Sequence, residues 1–431
     1  MSDHLGAGAT LHNRLTTAAP WLLGVSVVLR LAGSAAVYRD LFPDLRVYVL
    51  GGSAVSRPGT LYDPAFAFVD GLGRHLAFLY PPFAALLFYP LHHVPFAVVA
   101  MCWMVATIAA LYGAVRICQR MTGGGSPRSA MLWTSAAMWF EPIRSTLDLG
   151  QINVFLMLAV LYAAQSSRWW LSGLIIGLAA GVKLTPAITG VYLLGMRRWA
   201  AATASVVGFA ATVGLAILVI PRDTKTYFTA SMGEVGRVGT AGYAANQSWL
   251  GVISRILGYD IGRGALLGAA ILGTAVLGIF AWRAIDSGAK GHDGLGALLV
   301  VELFSLTASP ISWAHHWVWV VPLVIWLSQG PLHEAAGATV LRWVWLAAIV
   351  VGLPTLLSTV PQDFSRPWYL AWSEAVYVPL TLATFSWMTI VARVQARVAS
   401  PEMSPRVTLR HNAISTAKHF AGVVGVVHRT N

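Results

Sequence analysis

The sequence predicts an all-α polytopic membrane protein, and three observations predict it. Of its 431 residues 57% are hydrophobic and 11% charged, with a mean hydropathy of +0.66. An ordinary soluble domain carries about 25% charged residues, so this chain has too few charges to cover a soluble core. That excludes an ordinary cytosolic enzyme, and the apolar content excludes a disordered or fibrous chain. The apolar runs suit helices better than barrel strands. Basic residues recur in short loops between alternate runs, as the positive-inside rule requires. The net charge of +12 therefore reads as topology, and a nucleic-acid partner is not expected.

The elements follow in order. A polar stretch, 1–19, precedes the first apolar run, 20–38. Nothing of the A-x-A kind marks a cleavage site at Tyr38–Arg39, so this run is expected to stay as an anchor. Segment 39–94 is long and mixed, with turn signals at Gly51–Gly52 and Pro58–Gly59. Within it 81–94 is apolar, but at about 1.5 Å per residue it covers about 21 Å of a hydrocarbon layer about 30 Å thick. It is expected as a surface or re-entrant helix. Further spans are expected at 95–115, 130–140, 153–164, 170–182, 185–194, 201–220, 264–282, 295–306, 318–327, 341–357 and 377–392, making about twelve. The basic sets Arg116/Arg120/Arg128, Arg168, Arg197/Arg198, Arg283/Lys290 and Arg342 then share one side with the tail 393–431. That side is cytoplasmic, with both termini on it. Trp169–Trp170, Trp343–Trp345 and Trp368–Trp372 near run ends fit interfacial belts. Cys102 and Cys118 lie in or beside one apolar stretch, so neither a disulfide framework nor a Cys metal site is expected.

This parity places the remaining polar residues on the extracytoplasmic side. Several runs meeting there are short, and broken helices in a membrane persist where they line a protein cavity. One polar, outward-opening cavity is expected. Asp40 and Asp44 follow the first span. Asp44 follows Pro43 and either caps a helix over Leu45–Val55 or serves as a general base, and spacing leaves both open. Lys183 stands between two apolar half-helices, where a charge is expensive. It snorkels to the headgroups or offers a point charge to a phosphate. His315 and His316 sit in Ser-Pro-Ile-Ser-Trp-Ala-His-His-Trp. They join an aromatic belt or donate hydrogen bonds to a phosphate or sugar. Adjacent histidines face different ways on a helix and no third ligand is apparent, so zinc is poorly supported. Glu141 and Arg144 are spaced to pair, while Gln151 and Asn153 can bond sugar hydroxyls or free backbone groups. Arg30, inside the first span, needs a carboxylate partner or the cavity. Asn246-Gln-Ser is a glycosylation sequon by pattern and reads better as a polar loop. The sequence has no GxGxxG or Walker loop to support a cytoplasmic nucleotide site.

Taken together, the motifs resemble a family. They are Asp44-Leu-x-Val-Tyr, Tyr80-Pro-Pro-Phe, Glu141-Pro-x-Arg-Ser-Thr-x-x-x-Gly-Gln-x-Asn, Gly-x-Lys183-Leu-Thr-Pro, Asn246-Gln-Ser-Trp and Ser309-Pro-Ile-Ser-Trp-x-His-His. Arg168-Trp-Trp-Leu-Ser-Gly and Arg366-Pro-Trp-Tyr-Leu-Ala-Trp join the set. They are similar to the actinobacterial polyprenol-phosphate-mannose-dependent mannosyltransferases of phosphatidylinositol mannoside synthesis, which have the multi-span C-type glycosyltransferase fold. The resemblance runs from about Asp40 to Trp372. It implies a transmembrane glycosyltransferase domain over 20–392, with a first periplasmic loop at 39–94. It also implies an α-(1→2)-mannosyltransferase using a lipid-linked donor, polyprenyl-phosphate-mannose, and a phosphatidylinositol mannoside acceptor at the periplasmic face of the plasma membrane. Asp44 would be the catalytic aspartate. Lys183, His315 and His316 would surround the donor phosphate. Glu141, Arg144, Gln151, Asn153, Asn246 and Tyr80 would form the sugar and acceptor pocket. No metal or other cofactor is expected. The rival readings are a lipid or solute transporter, and a related transferase acting on lipomannan or using polyprenyl-phosphate-arabinose.

Overall fold

The computed structural model describes residues 2–36, 42–71, 73–233, 239–286, 293–357, 364 and 366–399. Asp40, Lys290 and the basic tail beyond Ala399 lie outside these residues. The described chain is helical nearly throughout. Helix α1 (Ser2–Ala36) carries its apolar stretch at Arg14–Gly33, earlier than the 20–38 expected. Helix α2 (Pro43–Ala54) starts after Phe42, which is held left-handed at φ 64°. Pro43 fits the first helical turn because its missing N–H would have no helical acceptor. A small antiparallel hairpin follows, β1 (Phe68–Val69) with β2 (His75–Leu76). Then come α3 (Pro82–Phe88) and a 3₁₀ turn, Tyr89–His93. Neither is long enough to cross a bilayer.

The helical body runs through α4 (Phe96–Met121), α5 (Pro127–Ala137), α6 (Glu141–Leu149), α7 (Asn153–Gln165), α8 (Trp169–Val182) and α9 (Thr189–Gly195). It continues through α10 (Trp199–Val219), α11 (Pro221–Thr226), α12 (Trp249–Leu257), α13 (Ala265–Asp286), α14 (Gly294–Ala308) and α15 (Val320–Gln329). It ends with α16 (Ala338–Val351), α17 (Leu353–Leu357), α18 (Trp368–Ser373) and α19 (Tyr377–Ala399). Among the described residues six helices are long and apolar enough to cross a membrane, or seven if α6 and α7, bent by 119°, count as one span. That is fewer than the twelve runs read from hydropathy. The other apolar runs fall on α5, α8, α9, α14 and α15, which have 7 to 15 residues. Fifteen residues of helix rise about 22 Å, short of the hydrocarbon thickness.

Close packing holds these short elements together. On α8, Gly173, Gly177 and Gly181 face α10 so closely that a methyl group at any of them would overlap α10 atoms. Small residues let helix backbones approach in this way, which gains dispersion contact where lipid offers little hydrophobic driving force. The other face of α10 leaves Val206, Val207 and Leu218 exposed, as a lipid-facing surface would. Trp317, Trp326 and Trp345 are fully buried in the core. Arg30 of α1 finds its partner in Asp148 of α6, an ion pair that sequence could not name. Arg366 and Arg255 share the carboxylate of Glu374 and fasten α12 to the segment before α19. Cys102 and Cys118 are both free.

Candidate active site

The site is organised by the sharp turn between α6 and α7. Gly150 ends α6 in the left-handed region, φ 71°, which glycine adopts without penalty. A Cβ there would come within 2.7 Å of the Leu45 side chain, so the turn sits directly on α2. Phe42 N–H donates to the Asp148 carbonyl (2.9 Å), docking the start of α2 onto the end of α6. Two residues far apart in sequence are thereby brought together. Gln151 Nε2 donates to Asp44 Oδ2 at 2.7 Å.

Asp44 lies in the first turn of α2, half-buried. Phe42, not Asp44, is the N-cap residue, and no side chain caps this helix, so the capping alternative is corrected. Its carboxyl is raised to about 6 by burial. The Gln151 hydrogen bond and the charges of Lys183 and Arg74 oppose the rise. The far end of Gln151 is also occupied. The Tyr48 and Tyr80 hydroxyls lie 2.9 and 3.1 Å from Gln151 Oε1 and 2.7 Å from each other; with two protons for three contacts, one hydroxyl donates to Oε1 and the other donates to its neighbour or to the same oxygen. Burial pushes both phenols above their ordinary range, so they stay protonated. Tyr80 was expected here. Tyr48 was not assigned a role, although it stands four residues after Asp44 and so on the same helical face.

Lys183 occupies the break after α8 with extended backbone (φ −148°, ψ 132°), and Pro186 three residues on has no N–H to continue a helix. Its Nζ donates to Asn153 Oδ1 at 2.7 Å and lies 5.5 Å from the centre of the Tyr80 ring. Burial lowers its pKa to about 8, against the attraction of Asp44. Asn153 Nδ2 donates in turn to the His315 carbonyl at 2.8 Å, which also accepts from Thr146 Oγ1 at 3.2 Å. The break between α14 and α15 is thus tied to the α6–α7 turn by its backbone. Of the two histidines, His316 faces the cavity. It lines a cleft with Asn153, Lys183, Thr185, Glu302 and Ser305. His315 packs behind it, rings 4.6 Å apart and edge-to-face. Burial and the nearby Lys183 charge hold both imidazoles well below the usual histidine range, so each is a neutral donor or acceptor.

Glu302 escaped the sequence reading. It is a carboxylate inside apolar α14, accepting from Thr189 Oγ1 at 2.8 Å and reaching the same cleft. A lone acid in an apolar run is itself a signal of function or of a buried partner.

Three expected pocket residues stand elsewhere. Glu141 is fully buried and its carboxylate is taken by Thr355 N (2.8 Å), Thr355 Oγ1 (2.5 Å) and the Tyr377 hydroxyl. It joins α6 to α17 and α19, and these partners replace the pairing with Arg144 read from their spacing. Arg144 accepts at its carbonyl from Arg30 (3.4 Å), and its side chain lies against Gly352. Asn246 is fully buried. It donates to the Ala241 and Pro310 carbonyls and accepts from Ser248 N and Ser312 N. It pins its own loop to the Ser312–Trp313 segment, so the sequon is a structural clamp. Among the described residues no three His, Cys, Asp or Glu side chains converge as a metal site.

A half-buried carboxylate, Asp44, near a cleft that holds the Lys183 ammonium suits transfer from a phosphate leaving group, and relatives bear on this. Residues 78–310 match the family model of glycosyltransferase family 87. The chain is 54% identical to the polyprenol-phosphate-mannose-dependent alpha-(1-2)-phosphatidylinositol pentamannoside mannosyltransferase of Mycobacterium tuberculosis, over 88% of this chain and 89% of that one. It is 52% identical to the protein of the same description from Mycolicibacterium smegmatis, over 87% and 92%. It is 31% identical to a polyprenol-phosphate-mannose-dependent alpha-(1-2)-phosphatidylinositol mannoside mannosyltransferase of Mycobacterium tuberculosis, over 90% and 94%. No solved structure matches. The chain belongs to glycosyltransferase family 87.

Proposed function

We propose that this chain moves mannose from polyprenyl-phosphate-mannose to a hydroxyl of a phosphatidylinositol mannoside, forming an α-(1→2) bond with inversion at the periplasmic face. The observation that carries this reading is the pairing of one half-buried carboxylate, Asp44, with the Lys183–His316 cleft beside Tyr80. The relatives' names supply the donor and acceptor class.

A β-linked mannosyl phosphate that becomes an α-mannoside undergoes one inversion. In that step the acceptor oxygen bonds to the anomeric carbon as the bond to the phosphate oxygen breaks. Asp44 takes the hydroxyl proton, so a second carboxylate of the kind hydrolases use is not needed. The lipid phosphate departs as an anion. Lys183 supplies a positive charge and His316 a hydrogen bond as that charge develops. Glu141, Arg144 and Asn246 act through the scaffold. The reaction needs no metal in this scheme, and unchanged turnover over a chelator titration is the expected result. The short helices α5, α8, α9, α14 and α15 complete about twelve passes, with both termini cytoplasmic and the site outside.

The test incubates the purified protein in lipid with labelled polyprenyl-phosphate-mannose and a panel of phosphatidylinositol mannosides, lipomannan and arabinan fragments. Label in a phosphatidylinositol mannoside, in α-(1→2) linkage, is expected. Label carried only into lipomannan, transfer only from an arabinose donor, or movement across the bilayer without transfer would each overturn the assignment.

A further inference from the structure

We infer that Gln151 is a positioning residue that dedicates one oxygen of Asp44 to the reaction, and that Tyr48 and Tyr80 jointly fix which end of the Gln151 amide meets the carboxylate. The inference rests on Asp44 as the base. A primary amide has a donor end and an acceptor end of nearly equal size, so its orientation is set by its neighbours. Here two phenolic hydroxyls stand 2.9 and 3.1 Å from Oε1, either of them able to donate to it, and Nε2 meets Asp44 Oδ2 at 2.7 Å. Reversing the amide would set Oε1 against Oδ2, two acceptors in contact, unless Asp44 carried a proton. The orientation shown therefore favours an ionised Asp44 with Oδ2 occupied and Oδ1 left for a substrate hydroxyl.

The two tyrosines are redundant in this role, since one hydroxyl on Oε1 is enough to hold the amide. Tyr80 also connects the base to the leaving-group side, because its ring lies beneath the Lys183 ammonium. The other charged groups acting on Asp44 are Lys183 and Arg74, and the variants below leave both in place.

The redundancy gives a non-additive prediction. Tyr48→Phe and Tyr80→Phe should each lower kcat by about threefold, while the double variant falls about thirtyfold or more, beyond the product of the singles. The acid limb of kcat/KM in the double variant should move to higher pH, as in Gln151→Leu, with the KM for polyprenyl-phosphate-mannose unchanged. Additive losses with an unmoved acid limb would overturn the inference. If the double variant does not fold, Gln151→Glu keeps the shape and must share a proton with Asp44. Its acid limb should then move up by more than one pH unit, and an unmoved limb overturns the inference. Asp44→Asn distinguishes the two levels: full activity there defeats the assigned base, whereas an inactive Asp44→Asn with unmoved limbs in the Gln151 variants defeats the positioning role alone.

Discussion

Asn153 joins Lys183 to the histidine segment: its Oδ1 accepts from Lys183 Nζ at 2.7 Å while its Nδ2 donates to the His315 carbonyl at 2.8 Å. The cation proposed for the donor phosphate is therefore aimed by a neutral amide, which keeps the full positive charge available. Asn153→Ala should lower kcat/KM for the donor about tenfold or more, since a hydrogen bond to a charged group contributes about 1.5–3 kcal/mol. Asn153→Asp should do worse, because it puts a negative charge against the phosphate and loses the donor to His315. A donor titration at saturating acceptor checks both. An aspartate variant with wild-type kinetics would remove Asn153 from this role.

The pH profile follows from two groups. Asp44, raised to about 6, must be ionised to accept a proton, so kcat/KM should fall as pH drops through that value. Lys183, lowered to about 8, must be charged to hold a phosphate, so kcat/KM should fall again as pH rises through that value. A bell between the two limbs is expected. Lys183→Arg should lose the upper limb, since a guanidinium stays charged throughout. Measuring kcat/KM from pH 5 to pH 9 (the range that brackets both groups) tests the sign of each limb.

Glu141 separates scaffold from site. Its carboxylate accepts from Thr355 N, Thr355 Oγ1 and the Tyr377 hydroxyl, donors on α17 and α19. Glu141→Gln presents an N–H₂ to at least one donor, leaving a buried group unsatisfied at a cost of about 1–3 kcal/mol. Thermal unfolding in detergent should drop by several degrees while kcat at low temperature stays near wild type. A large fall in kcat with an unchanged melting temperature would return Glu141 to the substrate pocket.

Much of the site was legible because charges are scarce. In a chain with so few charges, Asp44 and Lys183 stand out at breaks between apolar runs, and the break itself signals a cavity. What sequence could not convey is pairing across the fold. Nothing local says that Gln151 meets Asp44, that Arg30 meets Asp148, or that Glu141 is consumed by α17 and α19. Those contacts depend on the α6–α7 turn seating on α2 and on how far α19 returns. The span count diverged for a related reason. Hydropathy records apolar content, whereas helix length depends on where Pro186, Gly150 and Ser309–Pro310 interrupt the hydrogen-bond ladder.

The central claim is that Asp44 accepts the proton of the attacking hydroxyl. Single-turnover transfer of labelled mannose from polyprenyl-phosphate-mannose to the phosphatidylinositol mannoside that accepts label in the panel, in wild type and Asp44→Asn side by side, tests it most directly. A base of this kind is worth about 10²–10⁴-fold, so the variant should lose at least about a hundredfold in rate while retaining donor affinity and melting temperature. A variant that transfers mannose within about threefold of the wild-type rate would contradict the account.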